Sequence, residues 1–350
     1  VLWDGRGPYR KIPIPLPQGL DHLDKRYFRY GIKPEWFQED LENLARPDLI
    51  LVTSLMTYWA SGVGETIAAI KAVFPDVPVV LGGIYANLCY DHARQWSGAD
   101  QVIRGPAEAS LKKLVKAHTG LKMNTAAQPG KMDDLPYPAF DLLHHLAYVP
   151  VLTSRGCPFS CDYCASSFLE SGFRQRSVES VFAEIKFWHR RYKIKNIAFY
   201  DDALLVNPEN HAFPIFEKII GSGMALFFHT PNAVHVNAVS QKAARLMFDT
   251  GFKTIRLGLE TTDFSADRRH DIKVRKDQFY QAVANLKSAG FSSRQLGAYL
   301  LCGLPEQDIR EVRSAVKLVR KTGIMPVLAY YTPIPHTPMW ETARHHARYD

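Results

Sequence analysis

The sequence predicts an α/β fold in two parts: a small doubly wound parallel layer, then an open, partial barrel. Three observations carry this. From Asp48 onward, short apolar runs alternate with stretches of helical period, and such alternation implies parallel strand pairing. The alternation lapses over residues 119–147, where Gln128-Pro-Gly130 and Leu135-Pro-Tyr-Pro138 suit a linker. It then resumes, but a complete eightfold barrel takes about 250 residues, more than residues 148–350 supply.

The elements follow in order. Residues 1–47 are rich in Pro and aromatics, as in Lys11-Ile-Pro-Ile-Pro-Leu-Pro17, and read as an extended lead-in or partial element. Leu49 to Thr53 is a buried strand. Gly64 to Phe74 is a helix, with Ile67, Ile70 and Phe74 on one stripe. Val77 to Leu81 is a strand ended by Gly82-Gly83; Asn87 to Trp96 is a helix, Gln101 to Ile103 a strand and Ala107 to His118 a helix. The resulting divisions are 1–47, 48–120, 121–147 and 148–345. In the last, strands are expected at 149–153, 196–200, 225–229, 254–259, 295–301 and 325–331. Helix 178–192 sets Val178, Val181, Phe182, Ile185 and Trp188 on one face, and helix 306–322 does so with Ile309, Val312, Val316 and Val319.

Composition excludes several classes. With 350 residues, 46% apolar and 22% charged, the chain can bury a large core without disulfides. No apolar run approaches the roughly 18 residues of a membrane span, and no charged-then-apolar leader opens the chain. A cytoplasmic protein without a membrane span is therefore expected. Net charge is +8, yet the basic residues are scattered, so a nucleic-acid partner is not expected.

Chemistry gathers at the carboxyl ends of the predicted barrel strands, where parallel α/β folds form their sites. There stand Ser154-Arg-Gly-Cys157-Pro-Phe-Ser-Cys161-Asp-Tyr-Cys164, Asp201-Asp202, His229-Thr-Pro-Asn232, Glu260, Gly303-Leu-Pro305 and Pro333-Ile-Pro335. Three of the five cysteines fall within eight residues. Thiolates at C-x3-C-x2-C reach three corners of a cubane cluster and leave the fourth iron open, as a catalytic cluster needs; electron-transfer clusters usually have four cysteines. The alternative is zinc with a His as fourth ligand, but no His stands at zinc-finger spacing.

The loop Cys157-x3-Cys161-x-Tyr163-Cys164 resembles the signature of the radical S-adenosylmethionine superfamily, and the resemblance covers about 150–340. It implies a partial (β/α)6 TIM-type barrel in which Cys157, Cys161 and Cys164 hold a 4Fe–4S cluster. The amine and carboxylate of S-adenosylmethionine chelate the fourth iron. Reductive cleavage then gives methionine and a 5′-deoxyadenosyl radical that abstracts hydrogen from a substrate the sequence does not identify. A one-electron donor such as flavodoxin or ferredoxin is implied as partner.

The resemblance also marks cofactor-binding candidates. Tyr163 is the aromatic expected near the adenine. Asp201 and Asp202 stand where polar groups face the cofactor's ammonium; a helix cap for 207–221 or a turn is the other reading of this pair. Glu260 resembles a fourth-strand acid that binds ribose hydroxyls. Gly303 lies in a segment whose backbone reads adenine. Arg256, in phase with Gly258 and Glu260, is a partner for a cofactor or substrate carboxylate, or else for Glu260 or Asp263. His229 touches cofactor or substrate, or is a satisfied strand-end histidine. In Tyr331-Thr-Pro-Ile-Pro-His-Thr-Pro338, His336 replaces the Gly of the family's Pro-x-Pro-Gly-Thr.

The first part resembles the cobalamin-binding-like Rossmann domain that precedes many members. The matching residues are Asp48-Leu-Ile-Leu-Val-Thr-Ser54, Gly82-Gly83 and Asp100-x3-Arg-Gly105-x2-Glu108. This implies a Rossmann-like parallel α/β domain, with cobalamin as a further cofactor and methyl transfer as the reaction it would serve; without cobalamin, a rearrangement, ring formation or another radical step is equally open. The Asp-x-His-x-x-Gly string that supplies a ligand to cobalt is absent, so a scaffold domain without cobalamin is the other reading. The competing functions are a tRNA-modifying member of the superfamily and a non-catalytic iron–sulfur or cobalamin-binding protein.

Overall fold

The computed structural model describes residues 11–16, 22, 24, 26–123, 130–143, 146–264, 271 and 274–346. Two compact units divide the chain, Val1–Thr125 and Ala126–Asp350.

In the first unit, β1 (Lys11–Ile14) pairs antiparallel with β2 (Tyr27–Tyr30). The lead-in is thus a strand pair followed by α1 (Pro34–Glu42), more structure than its irregular composition suggests. Pro34 opens α1, where a missing N–H is harmless. A parallel sheet follows in the order β3 (Ile50–Ser54), β4 (Val79–Gly83), β5 (Gln101–Val102). Helix α2 (Ala60–Val73) joins the first two strands and buries Val63, Ile67 and Ile70. The helix expected over 87–96 is two, α3 (Ile84–Leu88) and α4 (Tyr90–Trp96), broken at Cys89 with φ −127° and ψ 51°. Helix α5 (Ala107–Thr119) ends on Gly120 in the left-handed region. Gly83 is required by its neighbour strand: at φ +90°, a Cβ there would lie 2.4 Å from Thr53 Oγ1.

The second unit carries β6 (Val149–Val151), β7 (Ser154–Arg155), α6 (Ser166–Leu169), β8 (Arg174–Gln175), α7 (Val178–Tyr192), β9 (Asn196–Phe199) and α8 (Ala212–Gly221). It continues with β10 (Phe227–His229), β11 (Val234–His235), α9 (Gln241–Thr250), β12 (Phe252–Glu260), α10 (Lys276–Ala289), β13 (Leu296–Cys302), α11 (Ile309–Lys321), β14 (Met325–Tyr330) and α12 (Pro338–His346). The main sheet runs β14-β13-β12-β10-β9-β6, with β11 beside β12, and every pairing in it is parallel. No pairing joins β14 to β6 among the described residues. The six strands therefore make the open, partial barrel that the alternation predicts.

Local chemistry explains the elements. Ser177 caps α7 by accepting from Ser180 N, and Ser240 caps α9 by accepting from Ala243 N. The stripe of α7 buries Val181, Ile185 and Trp188 against Val149, Val151, Ile197 and Phe199. Phe199, Phe216, Phe228 and Phe252 interlock with ring centroids 5.3–6.3 Å apart. The strands are held from outside by this core, and their carboxyl ends project beyond it.

Candidate active site

The cysteine loop is anchored at its base. Arg155 pairs with Arg174 and Ser154 with Gln175, in a short antiparallel ladder between β7 and β8. Gly156 follows at φ +81°, and a Cβ there would come within 2.2 Å of Gly172 O. Only glycine fits, immediately before Cys157. The loop then turns on Cys164 N donating to Cys161 O at 3.1 Å. Phe159 meets His235 edge-on at 4.4 Å, and Met339 N donates to Asp162 O at 3.0 Å. The loop is thus packed from β11 and from the start of α12.

All three thiols are free of disulfides; Cys161 is buried, and Cys157 and Cys164 are half-buried. Cys157 and Cys164 line a cavity of about 400 Å³ together with Tyr163, Ser166, Asp202, Asn232 and Glu260. Among the described residues no group of three His, Cys, Asp or Glu is gathered as a single-metal site. Zinc needs all its ligands on one ion, with Zn–S near 2.3 Å, whereas a cubane gives each thiolate its own iron. Three thiols on one loop, none in a disulfide and two of them lining a cavity, fit the cluster by their donor chemistry.

The adjacent side chains extend the site. Cys164 Sγ lies 3.2 Å from Ser166 Oγ, which donates to Asp202 Oδ2 at 3.0 Å. Tyr163 OH donates to Asp271 Oδ2 at 3.1 Å. Burial above all, then Glu260 and Asp271, push the Tyr163 hydroxyl far above its ordinary range, so it stays protonated as a donor. Glu260 ends β12 in the left-handed region at φ +63°, rare for a residue with a side chain. A tight turn, Thr261 N to Leu259 O at 2.7 Å, encloses it. The β12–β13 register also slips between Gly258 and Glu260, and such bulges re-aim side chains. A Cβ on Gly258 would lie 3.1 Å from Glu260 Oε1, so the glycine makes room for the carboxylate. Glu260 also lines a second cavity of about 560 Å³ with Leu304, Pro305 and Gln307.

Four expected cofactor contacts look different in the structure. Asp201 does not face the cavity, nor does it cap a helix. It is 3% exposed, and its carboxylate accepts from Thr153 N, Thr153 Oγ1 and Ser154 Oγ. Burial raises its pKa despite these bonds. His229 is the satisfied histidine: Nδ1 meets Thr254 Oγ1 at 2.8 Å and Nε2 meets Asn196 Oδ1 at 3.2 Å. Arg256 donates to the carbonyls of Ile255 and Gln295, at the strand starts rather than the rim; period two puts it in phase with Glu260 but says nothing of how far its long side chain runs back. Gly303 has open space where a Cβ would stand, at φ +85°, but its N–H is taken by Gln307 Oε1 at 2.8 Å.

Asn232 lines the cavity from the strand end where the sequence marks it, and further residues join it there. Asn232 donates to Tyr200 O at 2.7 Å and Tyr299 OH to Pro231 O at 2.8 Å. Tyr299 was findable by strand period, in phase with Gly297 and Leu301. Ser166 follows the third cysteine by two positions, and no motif marks it. Asp271 reaches the site from a loop, where no periodicity applies.

In the first unit, Leu55, Met56, Tyr58 and Trp59 follow the carboxyl end of β3 and are 52%, 37%, 61% and 50% exposed. Open space also surrounds Gly82 at the end of β4. An apolar patch at this end of a parallel sheet suits a large ligand, and no His lies between Ser54 and Ala60.

Comparison with known proteins places this geometry. The family model for the radical SAM superfamily matches residues 151–319, and that for the B12 binding domain matches residues 26–115. An uncharacterized methyltransferase of Pyrococcus horikoshii is 31% identical over 327 residues, covering 85% of this chain and 69% of its own length. The hopanoid C-3 methylase of Methylococcus capsulatus is 23% identical over 382 residues, covering 95% and 70%. Among solved structures, a radical S-adenosylmethionine methyltransferase from Kitasatospora setae with cobalamin and a 4Fe–4S cluster bound matches with TM-score 0.70 and 17% identity, over 88% of this chain and 69% of that one. At that identity the likeness concerns the fold.

Proposed function

The chain belongs to the radical S-adenosylmethionine superfamily, and on that footing we propose that it is a cobalamin-dependent methyltransferase whose substrate binds beside the cysteine loop. The observation that carries this reading is the convergence of Cys157, Cys164, Tyr163, Asp202 and Glu260 on one cavity. When bound, the cluster and S-adenosylmethionine supply a one-electron route to a hydrogen-abstracting radical, and cobalamin supplies a methyl carrier.

The chain's own residues then divide the work. Cys157, Cys161 and Cys164 hold the cluster as thiolates. Asp202, linked through Ser166 to Cys164, accepts from the cofactor's ammonium. Glu260 accepts from two ribose hydroxyls at once. Tyr163, its hydroxyl held by Asp271, turns its ring to the adenine. Asp201 acts through Thr153 and Ser154 as a positioning residue for the loop base. Leu55, Met56, Tyr58 and Trp59, the exposed apolar residues after β3, would hold cobalamin through apolar contact, and this loop supplies no histidine as a ligand. The family needs a reductant; a cytoplasmic flavodoxin or ferredoxin completes the proposal. No helix among the described residues is long and apolar enough to cross a membrane.

The test is anaerobic reconstitution with iron, sulfide and hydroxocobalamin, then reduction and addition of S-adenosylmethionine. 5′-Deoxyadenosine and S-adenosylhomocysteine are expected by mass spectrometry, with cobalamin required for the second. Cys157→Ala, Cys161→Ala and Cys164→Ala should each lose the cluster; full iron retention in all three overturns the reading.

A further inference from the structure

Cations scattered along the chain meet at one end of the barrel. Strands β6, β9, β10, β12, β13 and β14 pair in parallel. The turns that enter them therefore lie at one face, at the opposite end from the cysteine loop. Lys193 and Lys195 stand in the turn before β9, and Lys253 is the second residue of β12. Arg294 stands in the turn before β13, and Arg320 and Lys321 close α11 before β14. All six are exposed, and none is in an ion pair among the described residues. The turns 193–195, 222–226, 251, 290–295 and 322–324 hold no Asp or Glu. Two acids stand beside this face, and each has a cation: Arg245 holds Asp249 at 2.8 Å, and Asp141 attracts Arg191. Helix dipoles draw cations to such ends, but Lys195, Lys253 and Arg294 belong to no helix. Catalysis does not account for them either, since parallel barrels place it at the opposite rim.

We propose that this strand-entry face docks the protein on an anionic phospholipid bilayer. Charge complementarity is the first reason: Lys and Arg side chains held at a surface are drawn to an anionic leaflet. Apolar side chains set among the cations are the second. Phe227 opens β10, Met325 opens β14 and Phe248 lies in the last turn of α9; they are 40%, 41% and 38% exposed. Lys253 Nζ stands 4.8 Å from the centre of the Phe227 ring. Such side chains reach the boundary between headgroups and acyl chains while the cations stay at the headgroups. A DNA duplex fits the face less well. Its backbone offers Phe227 and Met325 no apolar contact, and the amides that read base edges are committed. Asn196 Oδ1 meets His229 Nε2 at 3.2 Å, and Gln295 Oε1 accepts from Ser292 N at 3.0 Å. No helix among the described residues is long and apolar enough to cross a membrane, so the contact is peripheral. It leaves the cysteine loop, at the far ends of the same strands, uncovered.

The test is flotation of the whole chain with unilamellar vesicles of phosphatidylcholine, alone or mixed equally with phosphatidylglycerol. Binding at least tenfold tighter to the mixed vesicles is expected, and high salt should weaken it. The triple variant Lys195→Gln, Lys253→Gln, Arg294→Gln should bind the mixed vesicles about fivefold more weakly per cation removed, with its unfolding midpoint retained. Met325→Ser should weaken vesicle binding at least threefold and leave binding to polyglutamate, which feels charge alone, unchanged. If Met325→Ser does not fold, Phe248→Ser makes the same test from α9. Equal binding to the two vesicles, a triple variant that binds as the parent does, or apolar variants without effect overturns the proposal. So does a DNA duplex or polyglutamate that strips the protein from the mixed vesicles at equal anion concentration, which would make the face a nucleic-acid or acidic-protein surface. Vesicle binding needs neither cluster nor cobalamin, so it stands or falls apart from the cleavage assay that tests the methyltransferase reading.

Discussion

His336 and Phe168 stack ring on ring, with centroids 4.1 Å apart and planes 5° from parallel, while His336 holds a left-handed backbone at φ +66°. The backbone keeps the conformation glycine favours, although the residue is histidine. The ring it gains fastens the loop after β14 to α6, directly behind the third cysteine.

Two opposed terms follow for His336→Gly. Relief of the left-handed backbone is worth about 1–2 kcal/mol, and loss of the stack costs about 0.5–1.5 kcal/mol. Net stability should therefore change little, whereas Phe168→Ala should destabilise. In the apoprotein, alkylation of Cys164 by iodoacetamide should be faster in both variants. Equal destabilisation by the two substitutions would show that the backbone strain is not real.

Asp201→Ala strands buried donors at Thr153 and Ser154. The expected loss is about 1–3 kcal/mol by urea denaturation, together with weaker iron retention although the residue touches no iron. A cost below about 0.5 kcal/mol, the floor for one ordinary hydrogen bond, would reduce Asp201 to a spectator.

Glu260→Gly separates stability from binding. Freed from its positive φ, the backbone should gain about 1 kcal/mol or more, visible as a higher unfolding midpoint. Binding of S-adenosylmethionine should weaken by about 1.5–3 kcal/mol, roughly 10- to 150-fold, through loss of hydrogen bonds to a charged group. Unchanged affinity in equilibrium dialysis would remove the ribose role.

His229 and His211 predict an acid-sensitive fold. Burial lowers the pKa of each. The unfolded chain takes up protons first as pH drops through about 6.5, so stability is full above that value and falls toward the depressed folded pKa. The slope is at most about 1.4 kcal/mol per pH unit for each histidine. His229→Gln should flatten the dependence of unfolding free energy between pH 7.5 and 5.5; an identical slope would assign the proton uptake elsewhere.

The fold was legible wherever burial imposed a period. The stripe over 178–192 became α7 at the same limits, and all six strand positions of the barrel were found because each is a short apolar run between helices. The lead-in was not, because neither strand buries a residue fully: β1 alternates only between exposed and half-buried, and β2 shows no alternation. At the site, spacing identified the thiol loop but could not orient side chains. Neighbouring Asp201 and Asp202 diverge because consecutive residues leave a strand end on opposite sides. For His229 the alternative of a satisfied strand-end histidine matches its bonds, and Arg256 donates to backbone carbonyls, because a strand period gives the face and not the height along the barrel.

The hydrogen bond from Met339 N to Asp162 O and the His336–Phe168 stack also impose an order on synthesis. A ribosome releases the cysteine loop long before it makes residues 336–339, which lie beyond the last barrel strand. Until then the loop lacks two of its fastenings, and its thiols have yet to reach their final packing. Iron loaded onto the nascent chain would meet an unfinished seat, so cluster insertion belongs after translation of the whole barrel.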